Sequence, residues 1–343
     1  MEPHFEGARR KLVARSEICL QTWPKGDELV IKGRKHLCWI FLSLGALGWS
    51  LLLSGCRANG EQLPFISFHE REAATVSPDS RHTGVEPLRV SVASMTSTRE
   101  SLRYYKELLD FLAEYLGQPV EMVQRNTYAE TNELLRTGAV DLAFVCTYAY
   151  VRAHDEFGAR LLAVPEIDGA TTYQAYIITR KDSGVNDFSD FKGKRFAFTD
   201  PLSTTGYLYP LTLLKLQETR PEDFFASHIF TYSHDNSVRA VRDGIVDGAS
   251  VESQVLDEMM ARDPELQRHI RVIQHSPDFS APPVIVRPGL NEALETRLRD
   301  FFLTLHENSR GKAILQNMGI DRYQPATDDD YASVRALGML VGK

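Results

Sequence analysis

Residues 195–210 read RFAFTDPLSTTGYLYP, and this stretch carries the strongest signal for the fold. An apolar run of strand character ends in a turn, where three hydroxyl residues precede a glycine and a predicted helix. In open α/β sheets the ligand crevice lies at the carboxyl ends of the strands, where helix starts present free N–H groups. Ser203, Thr204 and Thr205 are therefore predicted to hold an oxyanion. The alternative is ordinary N-capping, for which serine and threonine are also preferred.

Three more polar segments follow predicted strands and precede predicted helices, and we expect them at the same edge. They cover residues 94–98, 146–148 and 233–237. Ser94 opens the first of them and is expected to be a further ligand-binding residue. The chain as a whole carries 39 basic and 46 acidic residues, a net charge of -7. Because bulk charge does not favour nucleic acid, a bound anion must be held by such local geometry.

From residue 88 onward, predicted strands and helices alternate. Residues 88–93 alternate like a strand, and Thr127 with Glu130 forms a capping box at the start of a short helix. The repeated β-α-β order predicts an α/β fold with mainly parallel sheets flanked by helices. A polar, glycine-containing break at residues 181–194 divides the pattern, so the sequence predicts two lobes.

The amino-terminal part of the chain has the pattern of an export signal. Three basic residues at positions 32–35 precede an uncharged stretch at 37–53, and the sequence Leu-Ser-Gly-Cys ends at Cys56. This tetrapeptide resembles a bacterial lipobox, in which the cysteine becomes the lipidated first residue. The alternative is one membrane-spanning helix, since the stretch approaches the length needed to cross a bilayer. Both interpretations place the rest of the chain outside the cytoplasm.

The domain division follows from these signals. We expect an atypical leader and lipoprotein signal peptide at 1–55, and a flexible tether at 56–86, which lacks periodicity. The first lobe is expected at 87–180, the second at 181–274, and a return to the first lobe with carboxyl-terminal helices at 275–343. Of four cysteines, only Cys56 and Cys146 would remain after processing, so no internal disulfide is expected.

Several separated segments resemble one family, the phosphate, phosphite and phosphonate substrate-binding proteins of ABC transporters. The segments are 104–120 (YYKELLDFLAEYLGQPV), 140–150 (VDLAFVCTYAY), 195–210, 233–251 (SHDNSVRAVRDGIVDGASV) and 283–290 (PVIVRPGL). The resemblance implies a type II periplasmic-binding-protein fold with the ligand in the interlobe cleft. It also implies a non-enzymatic, monomeric receptor without a cofactor or metal, which serves a permease and ATPase complex at the membrane.

The resemblance also implies roles for individual residues. Ser203, Thr204 and Thr205 would hold the oxyanion head, joined by His234 from the next helix start. Thr147 and Tyr148 would contribute from the facing lobe. No catalytic residue is expected, since a lone buried cysteine such as Cys146 is usually a small core residue.

One departure from the family concerns the ligand. Family members that bind aminoalkylphosphonates carry an aspartate shortly before the Pro-Val strand, where this chain has Ala281 and Pro282. A buried ammonium without a carboxylate partner is costly, so phosphate, phosphite or a small alkylphosphonate is expected instead. The alternatives are a sensor that reports anion levels to a membrane kinase, or a binding protein for another oxyanion or ferric ion.

Overall fold

The computed structural model describes residues 86–342, which form a mixed α/β structure. In chain order the strands are β1 (Leu88–Val92), β2 (Val120–Val123), β3 (Leu142–Phe144), β4 (Arg160–Glu166), β5 (Thr172–Tyr173), β6 (Ala175–Arg180), β7 (Arg195–Phe198), β8 (Ser227–Phe230), β9 (Gly248–Glu252), β10 (Ile270–His275), β11 (Phe279–Ser280), β12 (Val284–Val286) and β13 (Arg322–Gln324). The lipidation site proposed at Cys56 and the uncharged stretch before it lie outside the described residues.

Helices separate most of these strands. They are α1 (Thr98–Leu116), α2 (Tyr128–Arg136), α3 (Thr147–Phe157), α4 (Tyr209–Leu216), α5 (Pro221–Phe224), α6 (His234–Arg242), α7 (Ser253–Arg262), α8 (Pro264–His269), α9 (Glu292–Thr304), α10 (Ser309–Asn317) and α11 (Ala332–Leu340). The predicted capping box at the start of α2 is present, because the Thr127 side chain and Glu130 each accept from the other's backbone N–H. Across residues 86–342, no helix has the length and apolar character that crossing a membrane requires.

The first sheet has six strands in the order β13-β4-β12-β3-β1-β2. Strand β1 pairs in parallel with both β2 and β3, as the β-α-β pattern predicts. Strand β12 lies between β3 and β4 and runs antiparallel to both, and β13 is antiparallel to β4. Helices α1, α9 and α10 cover this sheet with apolar side chains, among them Leu108, Leu112, Phe302 and Ile314. Each such buried side chain contributes roughly 1.5 to 3 kcal/mol of stability.

The second sheet has five strands in the order β10-β6-β9-β7-β8. Its parallel part is β9-β7-β8, and β6 runs antiparallel to both β9 and β10. Strand β6 therefore belongs to the second sheet, although the boundary expected at residue 180 puts it in the first lobe. The chain crosses before β6, and the polar segment 181–194 is a connection within the second sheet. The rest of the domain division stays a prediction.

Each sheet is thus mixed rather than mainly parallel. The parallel strands are those joined by successive β-α-β units, as expected. The strands that run against them are β6, which follows the crossing into the second sheet, and β12 and β13, which follow the return to the first sheet, whereas β10 is antiparallel only to its neighbour β6. A strand that enters a sheet from the other lobe has its direction set by the crossing, which the local sequence pattern does not reveal.

A short ribbon joins the two sheets. Strands β5 and β11 pair antiparallel with each other, with Phe279 opposite Tyr173 and Ser280 opposite Thr172. Strand β5 lies on the path from the first sheet to the second, and β11 lies on the return path. The described chain therefore forms two lobes, one around each sheet, whose two connecting segments are hydrogen-bonded side by side.

Candidate functional site

The hydroxyl residues after β7 begin a single π-helical turn, Thr204–Leu208, which continues into α4. Ser203 is the N-cap, and its Oγ accepts a hydrogen bond of 2.9 Å from the backbone N–H of Gly206. A Cβ atom at Gly206 would collide with the side chain of Thr199, so only glycine fits this close approach. The N-capping interpretation therefore applies to Ser203.

Thr204 links the two lobes. Its Oγ1 accepts a hydrogen bond of 2.9 Å from the backbone N–H of Tyr148, at the start of α3 in the first lobe. The Sγ atom of Cys146 lies 3.9 Å from the same oxygen. The turn after β7 and the turn after β3, which the sequence predicts at one site, are thus in direct contact.

Thr205 differs from Thr204 in its hydrogen bonds. Its carbonyl oxygen accepts from the Ser250 hydroxyl, whereas its own Oγ1 is fully buried and has no hydrogen-bond partner among the described residues. A buried hydroxyl without a partner costs roughly 1 to 3 kcal/mol. Thr205 therefore offers an unsatisfied donor in the turn after β7.

His234 is the first residue of α6, and its backbone N–H donates to the Met95 carbonyl of the first lobe at 3.0 Å. Its Nδ1 accepts from the Glu252 backbone N–H at 3.2 Å, which assigns the ring proton to Nε2. Burial lowers the pKa of His234 to about 3, so the ring is neutral. In residues 86–342 the Nε2 atom has no hydrogen-bond partner.

Glu252, at the end of β9, was not predicted from the sequence. Its carboxyl is buried, and Oε2 lies 3.7 Å from His234 Nε2, beyond hydrogen-bond distance. The pair is not an ion pair, because the histidine is neutral. Burial raises the pKa of Glu252 to about 7, and Oε2 has no hydrogen-bond partner within the described range. The residue follows a predicted strand, so the rule that identified the hydroxyl turn could also have found it.

Tyr128 is a second residue that the sequence analysis missed. Its backbone N–H donates to Asp200 at 3.1 Å, which ties the start of α2 to the turn after β7. Its hydroxyl is buried, and it too has no partner in the described part of the chain. Burial, with smaller contributions from Cys146, Asp200 and Glu252, raises the pKa of Tyr128 well above its ordinary value, so the hydroxyl keeps its proton.

Three of the predicted residues use their side chains differently. The Ser94 hydroxyl donates to the Arg125 carbonyl at 2.6 Å, and the Thr147 hydroxyl donates to the Ser280 carbonyl at 2.8 Å. The Tyr148 ring packs beside Gly338 of α11. Tyr148 contacts the turn after β7 through its backbone N–H, which donates to Thr204, and not through its side chain. Among the predicted residues, Thr205 and His234 have unsatisfied donors, and the buried Tyr148 hydroxyl beside α11 also has no partner in the described part of the chain.

A cavity of about 420 Å³ adjoins this cluster between the lobes. Met95 and Glu252 form part of its wall, together with Pro282, whereas Ser94, Thr147, Tyr148, Ser203, Thr204, Thr205 and His234 do not line it. The sequence-based argument against an ammonium group assumed that no carboxylate lies near Pro282. Glu252 lines the same cavity, so that argument loses its basis.

The polar groups of this cluster can bind a ligand. Burial is the main cause that raises the pKa of the Cys146 thiol, so a nucleophilic thiolate is disfavoured. What remains is a set of neutral donors from both lobes: the hydroxyls of Tyr128 and Thr205 and the Nε2–H of His234. Neutral donors of this kind suit an oxyanion, which accepts several hydrogen bonds.

Comparison with known families gives a consistent result. The family model for the periplasmic phosphonate substrate-binding protein of ABC transporters matches residues 90–331. The phosphonates-binding periplasmic protein of Escherichia coli K12 is 25% identical over 270 residues, 77% of this chain and 79% of that protein. The phosphate-import protein PhnD of Mycolicibacterium smegmatis is 35% identical over 167 residues, 46% of this chain and 52% of that protein.

Solved structures agree on the fold. A binding protein component of an ABC phosphonate transporter from Pseudomonas aeruginosa has a TM-score of 0.71 and 25% identity, over 75% of this chain and 87% of that one. PhnD1 from Prochlorococcus marinus, solved with methylphosphonate, has a TM-score of 0.68 and 19% identity, over 74% and 97% of the two chains. The two-lobed arrangement described above is therefore that of a type II periplasmic binding protein.

Proposed function

The chain belongs to the family of periplasmic substrate-binding proteins of phosphonate ABC transporters, and from this premise we propose that it captures phosphate, phosphite or a small alkylphosphonate outside the cytoplasm. In this role it would deliver the ligand to a membrane permease driven by an ATPase. Binding proteins of this architecture close by hinge motion around the ligand. The β5–β11 ribbon is the proposed hinge.

The observation that carries the proposal is the set of buried, unsatisfied polar atoms between the lobes. Among the described residues, Tyr128, Thr205 and His234 each hold a donor without a partner, and Glu252 holds an unpartnered carboxyl oxygen. Native proteins satisfy most buried polar groups, so a cluster of exceptions indicates where a ligand makes the missing bonds. An ionised Glu252 would accept from a P–OH group, and its protonated form would donate to a P–O oxygen.

The ligand assignment is tested by thermal unfolding with phosphate, phosphite, methylphosphonate, sulfate and nitrate. A ligand present at about a hundred times its Kd stabilises the folded state by about 2.7 kcal/mol. In a domain of this size that raises Tm by about 5 to 10 °C. We expect this shift with at least one of the three phosphorus oxyanions and less than half of it with sulfate or nitrate. Equal shifts with sulfate, or none with any phosphorus compound, would contradict the proposal.

We further propose that the mature protein begins at lipid-modified Cys56, as the basic, apolar and lipobox order predicts. Changing Cys56 to serine should release the protein into the soluble fraction or leave it unprocessed, because the residue that carries the lipid is gone. Membrane fractionation and intact-mass measurement check this result. Cys146→Ala is the control and should stay membrane-bound. An unmodified Cys56 in the mature wild-type protein would refute lipidation.

A further inference from the structure

Two helix starts meet between the lobes, one from each lobe. Helix α1 of the first lobe begins after Ser97, whose backbone N–H donates to Asp235 Oδ1 at 3.0 Å. Helix α6 of the second lobe begins at His234, whose backbone N–H donates to the Met95 carbonyl at 3.0 Å. Each helix start is therefore hydrogen-bonded to the segment around the start of the other helix.

This arrangement brings two positive helix ends close together. The aligned peptide dipoles of a helix place about half a positive charge at its N-terminus, so two such ends repel each other unless an anion lies between them. Asp235 supplies this negative charge from within the protein. Its side chain is buried, with Oδ1 bonded to the start of α1 and Oδ2 paired with Arg239 at 2.5 Å.

The Asp235 carboxyl is ionised at neutral pH. Burial acts to raise its pKa, but hydrogen bonds, among them those from Arg239 and Ser97, lower the pKa below its ordinary value. The Arg239 side chain is 40% exposed, whereas that of Asp235 is 3% exposed. Solvent therefore screens the charge of the arginine more than that of the carboxylate, which leaves a negative charge beside the two helix ends.

The cap of α1 comes from the opposite lobe. The first four N–H groups of a helix have no partner within the helix and need one from outside it. At α2 the side chain of Thr127 provides this bond from within the first lobe, whereas at α1 the Ser97 side chain makes no capping bond. Asp235 takes its place, so α1 loses this cap when the lobes separate.

Two more helices of the first lobe are bonded to the second lobe at their first turn. The backbone N–H of Tyr128 in α2 donates to Asp200, and that of Tyr148 in α3 donates to Thr204. Both acceptors are side chains of the second lobe. These two N–H groups lose their partners when the lobes separate, so their exchange with solvent reports opening at positions away from Asp235.

We propose that Asp235 is a positioning residue that holds the lobes closed, because its carboxylate caps α1 from the second lobe and neutralises the two helix ends. It acts without touching the ligand, through the lifetime of the closed form. This inference rests on the proposed function, because it assumes lobes that open and close. The alternative is that Asp235 stabilises only its own helix, as acidic residues in a first turn do.

Hydrogen exchange of the ligand-free protein tests this role. The loss of an N-cap side chain typically changes an equilibrium by a factor of about 2 to 30. Asp235→Ala should therefore speed exchange of the Tyr128 and Tyr148 amides by about threefold to thirtyfold. The amides of Val90 in β1 and Ala197 in β7 should exchange as in the wild type, because each lobe stays folded.

Three further variants make the result specific. Asp235→Asn keeps an oxygen that can accept from Ser97 and removes the charge, so its effect should lie between those of the wild type and Asp235→Ala. Asp243→Ala removes an exposed carboxylate at the other end of α6 and should change neither reporting amide. Ser97→Pro removes the N–H donor, and the φ of -57° at this position suits proline.

Ser97→Pro and Asp235→Ala remove the same hydrogen bond from its two sides. The double variant should therefore show no faster exchange at Tyr128 and Tyr148 than Asp235→Ala alone. Additive effects would mean that the two residues act independently and would contradict the proposal. If Asp235→Ala does not fold, Asp235→Asn and Ser97→Pro decide the question.

Ligand dissociation gives a second measurement. A ligand leaves through the open form, so Asp235→Ala should speed dissociation of the tightest-binding phosphorus oxyanion by about threefold to thirtyfold. The association rate should stay within about threefold of the wild-type value. Stopped-flow measurement of both rates separates this result from the loss of a ligand contact at an unchanged opening rate, which would leave the ligand-free exchange as it is.

The outcomes distinguish this proposal from the proposed function. If Asp235→Ala exchanges like the wild type at Tyr128 and Tyr148, or if exchange rises only within α6, the closure role is wrong and the proposed function is unaffected. If the wild type binds no phosphorus oxyanion, the proposed function fails, whereas exchange in the ligand-free protein still decides the role of Asp235.

Discussion

Replacing Thr205 by alanine is expected to weaken binding of the phosphorus oxyanion tenfold to a hundredfold while the fold survives. The Thr205 hydroxyl is buried and has no partner in the described part of the chain, so the fold does not depend on a bond that it makes. A hydrogen bond to a charged group contributes roughly 1.5 to 3 kcal/mol, which corresponds to this loss of affinity. Calorimetry with the tightest-binding oxyanion measures the effect.

Two control variants make this result specific. Thr205→Ser keeps the hydroxyl and should retain affinity within about threefold. Thr212→Ala removes another buried threonine hydroxyl in the same lobe, one that donates to the Leu208 carbonyl within the helix, and should leave affinity unchanged. Wild-type affinity in Thr205→Ala would remove this residue from the proposed site. Thr204→Ala should also weaken binding, and it additionally removes the hydrogen bond to the Tyr148 backbone.

Replacing Glu252 by glutamine is expected to change the free energy of unfolding, relative to that of the wild type, more favourably at alkaline pH than at acidic pH. Burial raises the pKa of Glu252 from 4.5 to about 7, so the folded protein retains a proton that the unfolded chain loses above pH 4.5. This contribution to stability is fully present below pH 4.5 and is lost as pH rises to about 7. With about 1.4 kcal/mol per pKa unit, the gap corresponds to about 3 kcal/mol.

His234 acts in the opposite direction. Its pKa is lowered from 6.5 to about 3, so the unfolded chain binds the extra proton between these values, and stability rises with pH across that window. The contribution is common to the wild type and to Glu252→Gln, so it cancels when the two proteins are compared.

Urea unfolding of both proteins at pH 4.5, 6 and 8 measures the difference. The free energy of unfolding of the variant, minus that of the wild type, should increase by about 3 kcal/mol from pH 4.5 to pH 8. Glu292→Gln, at an exposed carboxylate, is the control and should show a nearly constant difference. A constant difference for Glu252→Gln as well would mean that its carboxyl does not titrate abnormally in the folded protein.

The sequence predicted the parts of the site that follow from local order. A hydroxyl turn after a strand indicated Thr204 and Thr205, and the family resemblance added His234 at the next helix start. Glu252 was missed because none of the four polar segments chosen from the sequence includes the end of β9. Tyr128 was read only as the beginning of a capped helix. Whether these residues bind the ligand stays a proposal until the variants are measured.

What the sequence could not reveal depends on contacts between distant segments. Ser94 and Thr147 have the residue types of ligand donors, yet their hydroxyls bond carbonyls 31 and 133 positions away along the chain. Likewise β6 and β12 enter their sheets after the chain has crossed from the other lobe, and neither has a local mark of its direction. Such pairings are fixed by the path of the chain rather than by local pattern.

The position of β12 also affects how the protein folds. The second sheet is built from one continuous stretch and is complete once residue 275 is available. The first sheet is not, because β12 lies between β3 and β4 and pairs Val284 with Phe144, 140 positions earlier (284 minus 144). Until β12 and β13 are synthesised, β3 has one unpaired edge and β4 has two. The first lobe can therefore be completed only after the second lobe has been synthesised. Closing so long a loop also costs entropy and slows folding.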